Sequence, residues 1–503
     1  MSLAILHCRS LLGVQASEVQ VEIHIGRGLP AFNLVGLAEA SVKEAKERVR
    51  SAIQNAHFEF PCQRLTVNLA PADVPKHGGH FDLAIAIGIL AASGQIPAKR
   101  LAQFEFYGEL ALSGELRPCR GMLPMTMASA KGQRQVIAPQ DNQQDIARVS
   151  GQHLLAHSLL EVCQFLQNQT KLPIAQSDNS AAASKPSPEL SDIMGQHQGK
   201  RALEIAACGG HHFLLLGPPG TGKSMLASRM IGIMPPLNEQ QALETACVYS
   251  LTEQVIPWQQ RPFRQPHHSA SAAALVGGGG KPKPGEISLS HNGVLFLDEL
   301  PEFSRAVLDN LREPMENRSV TIARANARLQ FPANFQLIAA MNPSPCGHAQ
   351  GPQRRSTPEQ IQRYLHKLSG PLLDRFDLTV MLPQLPAGSL SQGHRTSQPN
   401  EPSNQQIQAK VIQCQQIQQQ RQGSLNAHLS AASIKQMAPL QRQDAEFLEQ
   451  AICKLGLSIR AWHSIIKVAR TIADMAHSPQ IQREHLTEAL NYRAMDRLLS
   501  SLQ

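Results

Sequence analysis

The run Gly217-Pro218-Pro219-Gly220-Thr221-Gly222-Lys223-Ser224 fits the pattern G-x-x-x-x-G-K-[ST] without a mismatch. It constrains the fold strongly, because such a loop works only between a strand and a helix. The apolar run His212-Phe213-Leu214-Leu215-Leu216 before it predicts a buried strand, and Met225-Leu226-Ala227-Ser228-Arg229-Met230 after it predicts the helix. Gly220 and Gly222 permit a turn that aims successive N–H groups at phosphate oxygens, and the helix start near Lys223 adds its positive end. Lys223 then reaches the β- and γ-phosphates and Ser224 offers its hydroxyl to Mg²⁺. The alternative is a chance glycine-rich turn, which would need no second half of a site.

That second half is present. In Gly293-Val294-Leu295-Phe296-Leu297-Asp298-Glu299, four consecutive apolar residues predict a strand buried on both faces of a parallel sheet. Asp298 and Glu299 emerge at its carboxyl end, where open α/β sheets bind ligands. Asp298 is expected to hold Mg²⁺ directly or through water, and Glu299 to orient and polarise an attacking water. The alternative for the acidic pair is an ordinary helix start. A third strand, Phe335 to Met341, ends at Asn342, a polar residue suited to the γ-phosphate or the lytic water. Downstream, Gly370-Pro371-Leu372-Leu373-Asp374-Arg375-Phe376-Asp377 carries an arginine, Arg375, for which a salt bridge with Asp374 or Asp377 is one reading.

These motifs carry a resemblance. Residues 189 to 503 resemble the magnesium-chelatase-like branch of AAA+ ATPases, and the full chain resembles the ComM/YifB family, which is linked to natural competence and DNA processing. The match rests on Ser191-Asp192-Ile193-Met194-Gly195-Gln196, the phosphate loop, Arg264-Gln265-Pro266-His267-His268, the Asp298-Glu299 strand, Asn342-Pro343 and Leu372-Leu373-Asp374-Arg375-Phe376-Asp377. The resemblance implies ATP as the nucleotide, a sensor-1 role for Asn342 and a trans finger role for Arg375. Gly456-Leu457-Ser458-Ile459-Arg460-Ala461 is similar to the family's sensor-2 helix, which implies that Arg460 contacts the γ-phosphate from the lid; a helix-surface arginine is the alternative.

A chain of 503 residues is too long for one core and suits three domains. Between Gln167 and Pro188, and again between Pro386 and Gln406, small and polar residues predict linkers. The expected architecture is therefore α/β: an α/β domain over 1–166, a linker over 167–188, an AAA+ P-loop parallel sheet with helices over 189–385, a linker over 386–406, and an all-helical lid over 407–503. In the lid, Leu457, Trp462, Ile465, Ile466 and Val468 to Ile472 recur at helical spacing. In the first domain, Glu18 to Ile25 and Leu65 to Leu69 read as strands and Ala38 to Ala56 as a helix. That domain resembles the ribosomal-S5-like fold shared with Lon peptidase domains, around Lys76-His77-Gly78-Gly79-His80-Phe81-Asp82-Leu83 and Gly108-Glu109-Leu110 through Arg120-Gly121. Lon-type proteolysis needs a Ser and a Lys. The corresponding stretches read Gly79-His80 and Met122-Leu123-Pro124, so no peptidase activity is expected. His77 and His80 are read as surface histidines rather than ligands or a base.

The formal net charge of +8 is compatible with a polyanionic partner, although basic proteins without one are common. The nine cysteines include no C-x-x-C pair and fit a reducing cytoplasm. His7, Cys8 and Arg9 interrupt the apolar opening, so no signal peptide is expected, and no apolar run reaches membrane-spanning length. Ser319 to Arg324 and Ala327 to Phe331 have the shape of a β-hairpin around Ala325-Asn326. In related hexameric helicases such a hairpin lines the pore, and Arg324 and Arg328 are candidates for phosphate contact. Gly277-Gly278-Gly279-Gly280 makes a second, mobile loop whose Lys281 and Lys283 either reach a polyanion or are ordinary exposed lysines. After Asn342, Cys346 and His348 fall short of a tetrahedral set, so no structural zinc is expected. The resemblance implies a cytoplasmic, hexameric ATP-driven motor on single-stranded or branched DNA, a branch-migration helicase. A chelatase motor, a protein-remodelling unfoldase and a non-enzymatic nucleotide-gated scaffold remain open as alternatives.

Overall fold

The computed structural model describes residues 3–36, 39, 42, 44–176, 187–279, 283–324, 327–348, 355–384 and 401–500. The chain packs as two units, one of residues 1–183, 243–258 and 323–331, the other of residues 184–242, 259–322 and 332–503.

The first unit is built on a seven-stranded mixed sheet. Strands β1 (Leu3–Leu12) and β2 (Gln15–Gly26) form an antiparallel hairpin with Leu12 opposite Gln15. The sheet also holds β3 (Ala31–Val35), β4 (Arg64–Ala70), β5 (Phe104–Phe106), β6 (Gln135–Pro139) and β7 (Leu154–Ala156), in the order β3-β4-β2-β1-β5-β6-β7. Period-two alternation sets the faces: in β4, Leu65, Val67 and Leu69 are buried while Arg64, Thr66 and Asn68 are not. Helix α1 (Ala45–Asn55) covers the later part of the stretch read as helical; Ala38, Ala40, Ser41 and Lys43 lie outside the described residues. Helix α2 (Asp82–Ala92) is buried along its whole length, as a helix without a polar face must be. Gly88 permits its close seating, since a Cβ there would lie 2.6 Å from Ile23 Cγ1 and 2.8 Å from Leu6 Cδ1.

Two sequence expectations change here. His80 is not a surface histidine: it sits directly before α2 beside Phe81, only 9% exposed, with Nε2 2.9 Å from the Arg9 carbonyl oxygen. The apolar helix after it draws it inward, and burial pushes its pKa down to about 4. His77 stays partly exposed, 2.9 Å from Glu39. The stretch read as a linker from Gln167 also begins as structure, because Pro173 accepts from the Leu155 N–H and Ala175 donates to His153, each at 2.9 Å.

The second unit is built on five parallel strands. In chain order they are β8 (Phe213–Leu216), β9 (Phe263–Arg264), β12 (Val294–Leu297), β15 (Gln336–Met341) and β16 (Leu378–Met381). Between them run β10 (Gly277–Gly278) and β11 (Lys283–Pro284), and β13 (Ser319–Arg324) and β14 (Ala327–Pro332), each pair a separate two-stranded sheet. The parallel sheet has the order β9-β12-β15-β8-β16, and every residue of β8, β12 and β15 is buried. Helix α3 (His197–Gly209) and helix α4 (Lys223–Ile233) pack against it. The carboxyl-terminal part is helical. Helix α5 (Asn404–Gln422) starts within the stretch read as a linker, because Ser403 and Gln406 close a capping box. Helix α6 (Ile459–Met475), capped by Ser458, buries Ala461, Ile465, Ile466, Val468, Ala469 and Ile472, in keeping with its sequence periodicity. Among the described residues no helix is long and apolar enough to cross a membrane.

Burial of His80 has a measurable consequence. Unfolded histidine titrates near 6.5 and folded His80 at about 4, so the unfolded chain binds more protons in that window and stability falls as pH drops through it. Between about pH 7 and about pH 4.5 the expected loss from this residue is about 2 to 3 kcal/mol. Urea unfolding of the full chain should report it, and His80→Gln should flatten the dependence.

Candidate functional site

Strand register assembles the site. Leu216 of β8 lies opposite Met341 of β15 on one side and Met381 of β16 on the other, and the Gly217 N–H donates to the Met341 carbonyl at 3.2 Å. Gly217 and Asn342 therefore leave adjacent strands side by side. On β12, Leu297 lies opposite Ala339, so Asp298 and Glu299 emerge at the same carboxyl edge.

The phosphate loop needs its glycines for backbone reasons. Gly220 and Gly222 have φ of +77° and +85°, and a Cβ at either would meet nothing within 4 Å, so the space before the loop is open. Lys223 Nζ donates to the carbonyls of Gly217 at 2.8 Å and Pro218 at 2.9 Å, and to Asn342 Oδ1 at 3.0 Å. Burial lowers the Lys223 pKa, and the charges of Asp298 and Glu299 oppose that shift. Ser224 Oγ donates to Asp298 Oδ2 at 2.6 Å. Pro219 abuts Gly347, and Thr221 Oγ1 bonds back to Pro218 at 2.9 Å, which closes the turn. Gln196 ties the preceding segment to the loop, donating to Thr221 at 3.2 Å and Pro383 at 2.9 Å, while its Oε1 is buried without a partner. An open cradle, one ammonium, a hydroxyl beside a carboxylate and an unspent acceptor suit a nucleoside triphosphate with a divalent cation.

Glu299 is held unusually. Its φ of +53° puts a β-unbranched but bulky residue in the left-handed region, followed by a single helical turn whose Glu302 N–H bonds to the Glu299 carbonyl at 2.8 Å. Its Oε2 lies 3.3 Å from His268 Nδ1. The sequence alone assigns His268 no role. The signal that could have found it is its position just past β9, the strand paired with β12.

Arg375 forms neither of the ion pairs weighed from sequence. It pairs with Glu316 of helix α7 (Arg312–Asn317) and donates to the Pro371 carbonyl. Asp374 pairs instead with Arg460 at 3.6 Å, which ties Arg460 to the residue just before Arg375. Arg460 is 62% exposed, and its contact is with the loop that carries Arg375. Asp377 is half-buried and accepts from His211 Nδ1 at 3.1 Å and from Ser464 of α6, while His211 Nε2 is 2.8 Å from Thr471 Oγ1. Burial alone would raise the Asp377 pKa, but the His211 hydrogen bond and the charges of His211 and Lys467 hold it well below the usual carboxylate range.

Of the four basic candidates for polymer contact, Lys283 is exposed on β11 and Lys281 lies outside the described residues. Arg324 ends β13 and Arg328 falls in β14, with Ala325, Asn326 and both arginine side chains outside the described residues.

Residues 189–390 match the family described as "Magnesium chelatase, subunit ChlI", residues 21–142 match "Subunit ChlI of Mg-chelatase", and residues 401–493 match "Magnesium chelatase, subunit ChlI C-terminal". The chain is 54% identical over 510 residues to the competence protein ComM of Haemophilus influenzae, covering 100% of this chain and 99% of that protein. It is 51% identical over 507 residues to the uncharacterized protein YifB of Escherichia coli, with 100% and 99% covered. Lon protease 2 of Bacillus subtilis is 27% identical over 179 residues, 31% of this chain and 32% of that protein.

Asp377 ties the loop that carries Arg375 to His211 and Ser464, so its loss should be felt in stability. Asp377→Ala strands His211 and Ser464 in a buried setting and is expected to lower the unfolding free energy by about 2 to 4 kcal/mol. A urea titration of the full chain measures it; an unchanged midpoint would contradict this role.

Proposed function

Because this chain belongs to the ComM/YifB family and carries a magnesium-chelatase-like AAA+ ATPase domain, we propose that it is an ATP-hydrolysing motor that translocates on DNA, a hexameric branch-migration helicase acting in the cytoplasm during uptake and recombination of foreign DNA. The observation that carries the ATPase reading is the convergence of Lys223, Ser224, Asp298, Glu299 and Asn342 on one edge of a parallel sheet. DNA as the substrate is supported by the word competence in the name of a relative similar over its full length, and by the arginine hairpin and the glycine hairpin.

In this reading the loop from Gly217 to Ser224 wraps the β- and γ-phosphates with its N–H groups, and Lys223 exchanges its carbonyl partners for phosphate oxygens. Mg²⁺, when bound, neutralises charge on the β- and γ-phosphoryl oxygens; Ser224 and Asp298 would hold it. Glu299 accepts the proton of the attacking water as its oxygen bonds to the γ-phosphorus and the bond to the bridging oxygen breaks. Asn342 orients the γ-phosphate or that water. Arg375 supplies positive charge to a neighbouring subunit's site, and the Arg460–Asp374 pair supports Arg460 acting with it from the same surface. Hydrolysis then requires assembly. The matches to magnesium chelatase subunits favour a chelatase-type or protein-remodelling motor as the second reading.

Steady-state ATP hydrolysis with single-stranded, duplex and four-way-junction DNA across a salt series separates the two. Stimulation by DNA that fades with added salt is the expected result, because phosphate contacts release counterions; hydrolysis indifferent to every DNA would favour the second reading. Glu299→Gln should retain ATP binding and lose turnover by about a thousandfold or more. Arg375→Ala should lose hydrolysis to a similar degree, about a thousandfold, with nucleotide binding intact; loss of binding as well would make Arg375 a structural partner of Glu316.

A further inference from the structure

Asn342 is held at its side chain and again at its backbone. The side-chain oxygen must be the atom that faces Lys223 Nζ at 3.0 Å, because an ammonium has donors only, so the hydrogens on Nδ2 are left for another acceptor. Residue 342 follows directly on β15, and where those hydrogens point depends on how its backbone is fixed. The ladder with β8 ends at Met341, so the next N–H takes no strand carbonyl and donates instead to the hydroxyl oxygen of Tyr364.

Tyr364 is placed by a helix of its own. Helix α8 (Pro358–Leu365) starts from a capping box of Thr357 and Gln360 and buries Ile361 and Leu365; Tyr364, three residues after Ile361, is half-buried. Lys367 Nζ stands 5.8 Å from the centre of the Tyr364 ring and 3.4 Å from Glu302 Oε1. Lys367 thus links the ring to the turn Leu300–Glu302, which follows Glu299. Burial, then the carboxylates of Glu302 and Glu299, push the Tyr364 pKa up, so the hydroxyl keeps its proton and meets the Asn342 N–H as a neutral acceptor. A phenylalanine would fill the same space, so the hydroxyl is the part of this side chain that packing does not explain.

We propose that Tyr364 is a positioning residue for hydrolysis: its hydroxyl fixes the Asn342 backbone, and through it aims the Asn342 amide at the γ-phosphate or the attacking water. The proposal rests on the role given to Asn342 in the hydrolysis reading, and adds the group that holds that amide in place.

The test uses the full-length protein with ATP and Mg²⁺. Tyr364→Phe keeps the ring and removes the hydroxyl alone. It is expected to lower kcat by about threefold to tenfold, the worth of one hydrogen bond, while KM for ATP stays unchanged. Asn342→Ala should lower kcat further, and adding Tyr364→Phe to it should change the rate by less than about twofold, because a residue that works through Asn342 then has nothing left to position. Hydrogen exchange at the Asn342 amide should be slow in the unsubstituted chain and faster in Tyr364→Phe, with exchange in β8 and β12 unchanged. An unaltered kcat in Tyr364→Phe overturns the proposal, as does a double variant whose losses multiply, or a rise in KM that accounts for the whole effect. If the unsubstituted chain hydrolyses no ATP, or Asn342→Ala keeps the full rate, the reading of Asn342 fails by itself, and exchange at the Asn342 amide still decides whether Tyr364 holds that backbone.

Discussion

The pairing of β8 with β15 and β16 is the constraint on which the second unit depends. A parallel register fixes where each strand ends, and here it lines up Leu216 with Met341 and Met381. The site is then made by the residue next after each strand: Gly217 beyond one, Asn342 beyond its neighbour, Asp298 beyond the third. Because β8, β12 and β15 are buried along their whole length, a slip in register would have to move an entire apolar strand through a close-packed interior. The polar side chains at the edge are thus positioned by apolar residues behind them, and bonds such as Ser224 to Asp298 report an alignment that the sheet has already imposed.

The carboxyl-terminal helices are attached to that sheet through polar chemistry as much as through apolar burial. Asp377 comes two residues after Arg375 and just before β16, and its carboxylate meets His211 just past the end of α3 and Ser464 from α6. Farther along α6, Asp474 accepts from Arg421 at 2.6 Å and Asn426 at 2.8 Å. Buried charges of this kind are tolerable only when each is fully partnered, and they demand one geometry rather than many. Arg460, in the first turn of α6, pairs with Asp374, the residue before Arg375.

How much of this was legible in the sequence depends on whether the information is local. The phosphate loop, the Asp298-Glu299 strand and the hairpin around Ala325-Asn326 are contiguous patterns in which residue type and spacing both bear on the conformation. The partners of Arg375 were not legible, because Glu316 reaches it from a helix that no local pattern connects to the loop carrying Arg375. His80 was misread for a related reason: its neighbours Lys76, His77, Gly78 and Gly79 look like an exposed turn, while the apolar helix after it decides its burial. The same holds for the segment after Gln167, whose small polar residues conceal backbone bonds to His153 and Leu155.

Glu299 sits in a backbone conformation that glycine or asparagine would adopt with less strain. In the proposed reading of Glu299 as the base, folding and turnover therefore pull in opposite directions at this position. In that reading, a lineage released from the need to hydrolyse nucleotide would gain stability by giving up the carboxylate there. For anyone seeking a hardier version of the protein, position 299 is where a stabilising substitution would be most misleading, since the gain in robustness and the loss of the proposed base would arrive together.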